Sequence, residues 1–381
     1  MPSFTLRKII FFIHLWFGLF IGVYFTIAGV TGSILVFQED IQVHYLMPER
    51  TAVTPPTPAA KLMPLSKIIA GLRKDFPDAT DNNFALITPP ETPGGAWFLR
   101  LPSGKKTYAT TVNPYTGQVI RQYPSNETWL DWVDDLHVNL LKKAPGKIAN
   151  GYLGLLAGIL LLSGIWLWWP ATLRQIKLRS TIKRGAGIQR VIADLHNVFG
   201  FYSFLLLLAV TLTGSVIVFY APVQKVVISV VGKSRRLPPP KVVPPPGAHW
   251  LPIDALLPAA EKIAPESSFV FILFPTQPRQ AFLCYKRAKE GIWPDTRIYI
   301  NPYNGKVLRV DSDSTDPLDT RIMRSASTIH FGRWGYLGIK ILYAIIGLIP
   351  LGLFITGVLM YIRSRRTKVR RQRRRRLIKD E

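Results

Sequence analysis

Four of the six histidines in this chain recur at fixed spacings. His14 and His196 lie 182 positions apart, and each is followed four positions later by a glycine. His137 and His330 lie 193 positions apart, and each is followed 26 positions later by a serine or threonine and then a glycine. An internal repeat compares a sequence with itself, so these four histidines are the first candidates for a shared chemical role.

The chemistry that fits these histidines best is axial ligation of haem iron. In a bis-histidine site, a neutral imidazole nitrogen binds the iron from each side. Zinc instead requires three or four close ligands, often with cysteine or carboxylate. The one cysteine, Cys284, is not part of a C-x-x-C-H pattern, so covalent haem attachment is not expected. We therefore predict two haem b groups per chain, with His14, His196, His137 and His330 as ligands of the iron.

Four apolar runs must position these histidines: 9–37, 148–170, 196–222 and 336–362. Each is long enough to cross a bilayer as a helix, which takes about 20 mostly apolar residues. The first run is too long for a signal peptide, so we expect it to be retained. The runs hold no acidic residue, which weighs against a proton-coupled transporter. The sequence predicts an α-helical integral membrane protein, a four-span helix bundle built from a duplicated half.

The distribution of charge predicts the orientation of the spans. Much of the net charge of +25 lies in the segment between spans two and three, 171–195, and in the C-terminal segment, 363–381. The positive-inside rule places these segments and both termini in the cytoplasm of a bacterium, and the two long segments outside the inner membrane. We interpret the excess positive charge as a topology signal and a contact with anionic lipid, not as nucleic-acid binding.

This topology assigns a depth to each recurring histidine. His14 lies near the start of the first span and His196 just before the third, so both are expected near the cytoplasmic face. His137 and His330 precede spans two and four, so both are expected near the outer face. Each level therefore draws one histidine from each half, with His14 opposite His196 and His137 opposite His330.

The segments around the outer histidines are predicted to lie at the membrane interface. Residues 126–147 are expected to contain an interfacial helix with Asn126 as its N-cap, and 321–335 is the matching segment. His44 competes for the outer site, but the equivalent position of the second half is a valine. His249 follows a proline run and is expected to be solvated.

The two outer segments, 38–125 and 223–320, are predicted to fold as α+β units. Each opens with prolines and continues with a short amphipathic helix pattern and strand-like runs. Each then carries the same turn, which reads Asn113-Pro114-Tyr115-Thr116-Gly117 in one unit and Asn301-Pro302-Tyr303-Asn304-Gly305 in the other. We interpret the asparagines as turn residues, because Asn-Pro followed by glycine is typical of a hairpin turn.

The whole arrangement resembles the PepSY-associated transmembrane family of iron-regulated bacterial inner-membrane proteins. The residues that carry this resemblance are His14 to Gly18, Thr31-Gly32-Ser33, Leu136-His137, Ser163 to Pro170, Leu195-His196 and Thr213-Gly214. The two outer segments are similar to the PepSY domain, a helix packed on an antiparallel sheet. Within the family, the chain is most similar to the FoxB-type siderophore reductases, which carry haem.

The resemblance implies a reductase that delivers electrons from an unidentified donor to a periplasmic ferric siderophore of the hydroxamate type and releases iron as Fe(II). Three alternatives stay open: a siderophore permease or transport accessory without redox activity, a b-type cytochrome subunit that serves another periplasmic enzyme, and a regulatory or binding module. The sequence does not single out chelate-binding residues; the side chains expected near the outer surface are Tyr115, Tyr303, Trp129, Arg333 and Trp334.

Two groups of small and aromatic residues have more than one interpretation. The glycines near the histidines either leave room for a flat macrocycle or allow close helix packing; they are Gly18, Gly32, Gly200 and Gly214. The aromatic residues of spans two and four are interpreted first as packing or interface anchors and second as an electron path; they include Trp166, Trp168 and Tyr343.

Overall fold

The computed structural model describes residues 6–78, 86–103, 106–170, 172–232, 238–288, 295–312, 316–332 and 336–380. The helices are α1 Leu6–Leu35, α2 Gln38–Ile41, α3 Leu65–Asp75, α4 Trp129–Asn139, α5 Lys143–Trp168, α6 Leu173–Arg179, α7 Ile188–Val218, α8 Tyr220–Val231, α9 Ile253–Glu261, α10 Leu318–His330 and α11 Leu337–Asp380. The strands are β1 Leu86–Thr88, β2 Trp97–Ser103, β3 Lys106–Val112, β4 Val119–Pro124, β5 Ser267–Leu273, β6 Phe282–Ala288, β7 Thr296–Ile300 and β8 Val307–Ser312. Short helical turns at Gln42–Leu46 and Pro48–Arg50 follow α2.

Four helices of the described chain are long and apolar enough to cross a membrane. They are α1, α5, α7 and the segment Leu337–Thr367 of α11. Their apolar side chains remain exposed on the outside of the bundle, as expected where lipid replaces water as the surrounding medium. The chain is therefore a multi-pass membrane protein that also carries an antiparallel sheet, as the sequence predicts.

The third span begins earlier than predicted. Because α7 starts at Ile188, His196 lies inside the helix rather than just before it, and Asp194 is an acidic residue within the span. Asp194 is only 2% exposed, but it forms an ion pair of 2.8 Å with Arg190 Nε and accepts a hydrogen bond from the backbone N–H of Lys183 over 3.2 Å. Since its charge is compensated, the helix continues through a position at which the apolar pattern of the sequence stops.

Helices from opposite halves of the chain approach closely through small residues. Ser33 Oγ of α1 donates to Ala344 O of α11 over 2.9 Å, and Ser215 Oγ of α7 donates to Gly151 O of α5 over 3.0 Å. Ser33 and Ser215 occupy equivalent positions in the sequence repeat. Because hydrogen bonds between spans and small side chains stabilise helix association in an apolar medium, these two contacts join the halves into one bundle.

The strands of the segments 38–125 and 223–320 form one continuous sheet. It has eight antiparallel strands in the order β4-β3-β2-β1-β5-β6-β7-β8. The two halves meet where β1 pairs with β5, with Leu86 opposite Leu273 and Ile87 opposite Ile272. The two predicted α+β units are therefore joined, and the physical reason is that each would otherwise expose the unpaired backbone groups of an edge strand.

The core of this sheet is also shared between the halves. Helices α3 and α9 cover it, and one cluster of buried apolar side chains crosses the junction, including Leu72, Ile87, Leu99, Ile272 and Ile298. The backbone N–H groups of Leu65 and Ser66 at the start of α3 donate to the carboxylate of Asp254 in α9, over 2.8 and 3.0 Å. A residue of one half therefore caps a helix of the other.

The two repeated turns have the predicted geometry. Asn113 Oδ1 accepts a hydrogen bond from the N–H of Tyr115 over 2.8 Å, and Asn301 Oδ1 accepts one from the N–H of Tyr303 over 2.9 Å. The glycine of each turn has a positive φ, +73° at Gly117 and +72° in the second copy. The asparagines therefore act as turn residues.

Helix α4, which lies in the segment predicted to be interfacial, has a different N-cap from the one predicted. Thr128, not Asn126, precedes the helix, and its Oγ1 accepts from the N–H of Asp131 over 3.1 Å. The Asp131 carboxylate in turn accepts from the N–H of Thr128 over 3.0 Å. This reciprocal capping box satisfies two N–H groups that a lone Asn126 cap would leave without a partner.

Candidate functional site

The structure places the four recurring histidines in two pairs. The ring centres of His14 and His196 are 6.3 Å apart, and the ring planes form an angle of 87°. The ring centres of His137 and His330 are 6.2 Å apart, with an angle of 38°. We call the first the tail-side pair, since it lies toward the C-terminal part of α11, and the second the sheet-side pair. Each pair takes one histidine from each half.

The two pairs lie at opposite ends of the helix bundle. His14 belongs to α1, whereas the ring of His137 packs against Gly32 of the same helix. These two positions of α1 are 18 residues apart in the chain, which corresponds to about 27 Å along a helix axis. The bundle therefore separates the two pairs by nearly the thickness of a bilayer core.

A glycine beside each imidazole leaves the space that the ring occupies. A Cβ atom added at these glycines would lie at the following distances from the nearest ring atom: 3.0 Å at Gly164 from His14, 3.6 Å at Gly357 from His196, 3.2 Å at Gly32 from His137 and 2.8 Å at Gly214 from His330. Three of these four distances are too short for an ordinary carbon contact. Gly32 and Gly214 are therefore required by the histidine rings themselves.

The other two glycines of the repeat are less crowded, since an added Cβ would meet one side chain at ordinary contact distance. A Cβ at Gly18 would meet only Leu160 Cδ1, at 3.9 Å, and a Cβ at Gly200 would meet only Leu353 Cδ2, at 3.8 Å. Each lies one helical turn after a histidine of the tail-side pair. Neither glycine is required by an imidazole ring, and each lies in ordinary contact with a leucine of a neighbouring span.

Hydroxyl groups fix the protonation of three of the imidazoles. The Nδ1 atoms of His14, His137 and His196 are each 2.9 Å from the hydroxyl of Ser163, Thr31 and Thr356, in that order. Each hydroxyl donates its own hydrogen to a backbone carbonyl one turn earlier, over 2.7 Å. A hydroxyl whose single hydrogen goes to this carbonyl accepts from the imidazole. Nδ1 therefore carries the proton, and Nε2 keeps a lone pair.

The fourth imidazole reaches the same state through a backbone group. His330 Nδ1 lies 2.9 Å from Val210 O, and a carbonyl oxygen can only accept. The hydroxyl of Thr213, which is equivalent to Thr31, donates to Ala209 O over 2.6 Å. All four histidines therefore present an unprotonated Nε2, held by a hydrogen bond at the opposite ring nitrogen, which is the arrangement of a metal-ligating histidine.

The separation of the rings agrees with bis-histidine ligation. An imidazole nitrogen binds a metal ion at about 2 Å, and the ring centre lies roughly 1 Å behind that nitrogen, so two opposed ligands place their ring centres about 6 Å apart. Among the described residues, no three His, Cys, Asp or Glu side chains are grouped so that they could hold a metal ion alone. The pairs therefore fit haem, which supplies the remaining ligands from its own macrocycle.

Burial keeps the sheet-side pair uncharged. Burial, together with the neighbouring His330, lowers the pKa of His137 to about 4. Burial also lowers the pKa of His330. Both imidazoles are thus neutral near pH 7, as iron ligation requires.

Among the described residues, the other candidates are not seen in contact with either pair. His44 and His249 are both exposed. Tyr115 and Tyr303 belong to the two hairpin turns, and Tyr303 Oη donates to Pro278 O over 2.9 Å. The remaining outer-surface candidates are Trp129, which is 53% exposed at the start of α4, and Arg333 and Trp334, which lie outside the described residues.

Comparison with known proteins identifies one matching family. The family model described as the PepSY-associated TM region matches residues 11–364, a range that includes all four paired histidines and both ends of the bundle. No protein among the curated sequences matches the chain.

Proposed function

Because the chain belongs to the PepSY-associated transmembrane family, we propose that it is a di-haem reductase of the bacterial inner membrane. The reductase would deliver electrons to a ferric siderophore on the periplasmic side. The observation that supports this function is the state of the four histidines, which form two pairs with every Nε2 unprotonated. A bound haem b would supply reversible one-electron transfer at each pair.

The chain's own residues hold and isolate the two sites. Ser163, Thr31, Thr356 and Val210 orient the imidazoles. Between the two levels, apolar side chains fill the bundle, among them Phe25, Ala157, Leu161 and Leu207. An apolar interior excludes water and ions from the path between the sites. The bundle therefore separates an electron-accepting end from an electron-donating end.

The direction of transfer in this proposal follows from the basic segments. Residues 171–195 and 363–381 lie toward the tail-side pair and carry much of the positive charge, which favours a cytoplasmic location. An electron donor would then act at His14 and His196. The sheet and the sheet-side pair would face the periplasm, where the chelate arrives.

The proposed substrate is a ferric siderophore of the hydroxamate type. Hard oxygen ligands bind Fe(III) more tightly than Fe(II), so reduction weakens the chelate and releases the metal. The family resemblance suggests this substrate class, and the position of the sheet-side pair near the outer end of the bundle is consistent with it.

The first test is the visible spectrum and the haem content of the purified protein. We expect two haems per chain with the spectrum of low-spin b-type haem. His14→Ala should remove the tail-side haem, His137→Ala should remove the sheet-side haem, and the double variant should remove both. His44→Ala and His249→Ala are matched controls that should retain both. A Soret band that survives in the double variant would refute the haem assignment.

The second test separates a reductase from a relay subunit or a permease. The purified protein, reduced with dithionite and freed of excess reductant, should reduce ferric ferrioxamine in the absence of any other protein. Reoxidation of the protein and trapping of Fe(II) by ferrozine should occur in equal amounts. If the protein stays reduced, the periplasmic acceptor is another enzyme. Uptake of intact chelate into vesicles without reductant would instead indicate a permease.

A further inference from the structure

The backbone of His137 is held by a side chain of the neighbouring span. Asn150 Nδ2 of α5 donates to His137 O over 2.7 Å and to Val138 O over 3.1 Å. Tyr24 Oη of α1 donates to Asn150 Oδ1 over 2.8 Å, which fixes the orientation of the amide. Together with Thr31, which binds the ring, α1 and α5 therefore hold this histidine at both its ring and its main chain.

The carbonyls that Asn150 binds are those that a helix end leaves without partners. α4 ends at Asn139, and the chain then turns through Leu140 and Leu141 at φ values of +49° and +58°. The last carbonyls of a helix have no N–H partner within the helix. In a membrane, a backbone group without a partner costs several kcal/mol. Asn150 supplies the missing donors.

The second half uses a different residue at the equivalent position. Tyr343 lies 193 positions after Asn150, which is also the spacing of the two sheet-side histidines. Its Oη donates to Ile329 O over 2.6 Å, next to His330 at the end of α10. Its ring packs against Gly332, where φ is +63° and an added Cβ would lie 3.1 Å from the ring. The same anchor is thus built twice from different side chains.

Only the sheet-side pair needs such anchors. His14 and His196 lie within α1 and α7, which have 30 and 31 residues, so the helices themselves hold their main chains. His137 and His330 lie at the ends of helices of 11 and 13 residues. A short helix that ends beside its ligand can shift or fray, and a shift would change the separation of the two imidazoles.

We propose that Asn150, oriented by Tyr24, and Tyr343 are positioning residues that fix the separation of the sheet-side imidazoles. This inference rests on the proposed haem function. The anchors act through the main chain of α4 and α10. They set the affinity and the reduction potential of the sheet-side haem and leave the tail-side haem unchanged.

The test compares haem release and potential in Tyr343→Phe and Asn150→Leu. Tyr343→Phe removes one hydroxyl and keeps the ring against Gly332. We expect transfer of one of the two haems to apomyoglobin to accelerate about tenfold or more. A redox titration should show one midpoint potential shifted and the other unchanged. Tyr202→Phe is the control, since Tyr202 is 67% exposed on α7, and it should match the parent protein.

The outcomes separate this inference from the proposed function. A parent protein without haem would refute the function itself. If the parent holds two haems and both variants release them at the parental rate with parental potentials, the positioning role is wrong and the function stands. Equal loss of both haems would also overturn it, because that result indicates general destabilisation. Far-ultraviolet circular dichroism verifies that each variant retains its helices.

Discussion

At the residue scale, each candidate ligand depends on two neighbours, an acceptor for Nδ1 and a glycine beside the ring. For three of the histidines a Ser/Thr-Gly pair of the repeat supplies both, because the hydroxyl binds one ring nitrogen and the glycine leaves room for the ring. For His330 the acceptor is Val210 O, and Gly214 lies beside the ring. The hydrogen bond at Nδ1 leaves Nε2 of each histidine available to a ligand. This division of roles explains why the pairs recur with the histidines.

Gly164→Ala tests the space beside His14. The added Cβ would lie 3.0 Å from His14 Cε1, so the imidazole must move. We expect the affinity for the tail-side haem to fall about 10- to 100-fold, while the sheet-side haem stays bound, as measured by haem content and transfer to apomyoglobin. Gly338→Ala is the control, since no atom lies within 4 Å of its added Cβ. Equal haem retention in the two variants would contradict the role of Gly164.

The angles between the imidazole planes predict two different paramagnetic signals. In a low-spin ferric haem, perpendicular imidazole planes make two iron d orbitals nearly equal in energy, whereas more parallel planes separate them. The tail-side angle of 87° predicts a highly anisotropic electron paramagnetic resonance signal, and the sheet-side angle of 38° predicts a rhombic one. His137→Ala should abolish the rhombic signal alone. Two identical signals would contradict the ring orientations.

The sequence predicted which histidines form each pair, because the repeat and the charge distribution together assign a depth to each one. It did not predict the acceptors of the ring protons. Ser163 and Thr356 were visible only as recurring positions, since a hydroxyl that binds a histidine and one that binds its own helix look the same in sequence. Asn150 and Tyr343 differ in type, so the repeat did not reveal their common role.

At the element scale, a buried lysine holds the end of α9 against the sheet. Lys286 of β6 is 2% exposed, and its Nζ donates to Ile263 O and Ala264 O over 2.7 and 2.8 Å. The ammonium group therefore binds the carbonyls that follow the last turn of the helix. The equivalent position of β2 is the apolar Leu101, so this anchor belongs to the second half alone.

Lys286→Met should loosen this part of the sheet. The substitution keeps an unbranched side chain and removes hydrogen bonds from a charged donor, which are worth about 1.5–3 kcal/mol each. Cys284 on the same strand is the reporter, because the thiol is buried and burial raises its pKa to about 12. We expect its alkylation at pH 8 to accelerate about tenfold or more. Lys106→Met, at an exposed ion pair with Glu127, should leave the rate unchanged.

The sequence predicted those elements whose pattern depends only on neighbouring residues. The repeated turns and the helix patterns that became α3 and α9 needed only neighbouring residues. The start of α7 could not be predicted in this way, because the charge of Asp194 is balanced by Arg190 and by the backbone of Lys183. The pairing of β1 with β5 was also missed, since β1 has only three residues and its partner lies in the other half.

At the scale of the whole molecule, the halves are joined at three levels. The sheet joins them through β1 and β5, the bundle through the bonds of Ser33 and Ser215, and each histidine pair takes one ring from each half. By contrast, every Nδ1 acceptor belongs to the same half as its histidine. Each half therefore orients its own ligands, and the site is completed only when the halves meet.

A chain divided between the halves should reassemble. Gly185 lies in the exposed segment between α6 and α7, with φ at +69° and no atom within 4 Å of an added Cβ, so a break after it disturbs no packed element. We expect fragments 1–185 and 186–381, produced together with a tag on one, to copurify with both haems. Either fragment alone should hold neither haem, because each pair would lack one ligand.

The strength of this association should depend on the cap that crosses the sheet junction. Asp254→Ala removes the acceptor for the N–H groups of Leu65 and Ser66, a loss of about 1 kcal/mol. The temperature at which the fragments separate in detergent should fall. Asp311→Ala is the matched control, since Asp311 pairs with Arg309 of its own half, and the separation temperature should then stay near the parental value. Fragments that each retain haem when purified alone would contradict ligation across the halves.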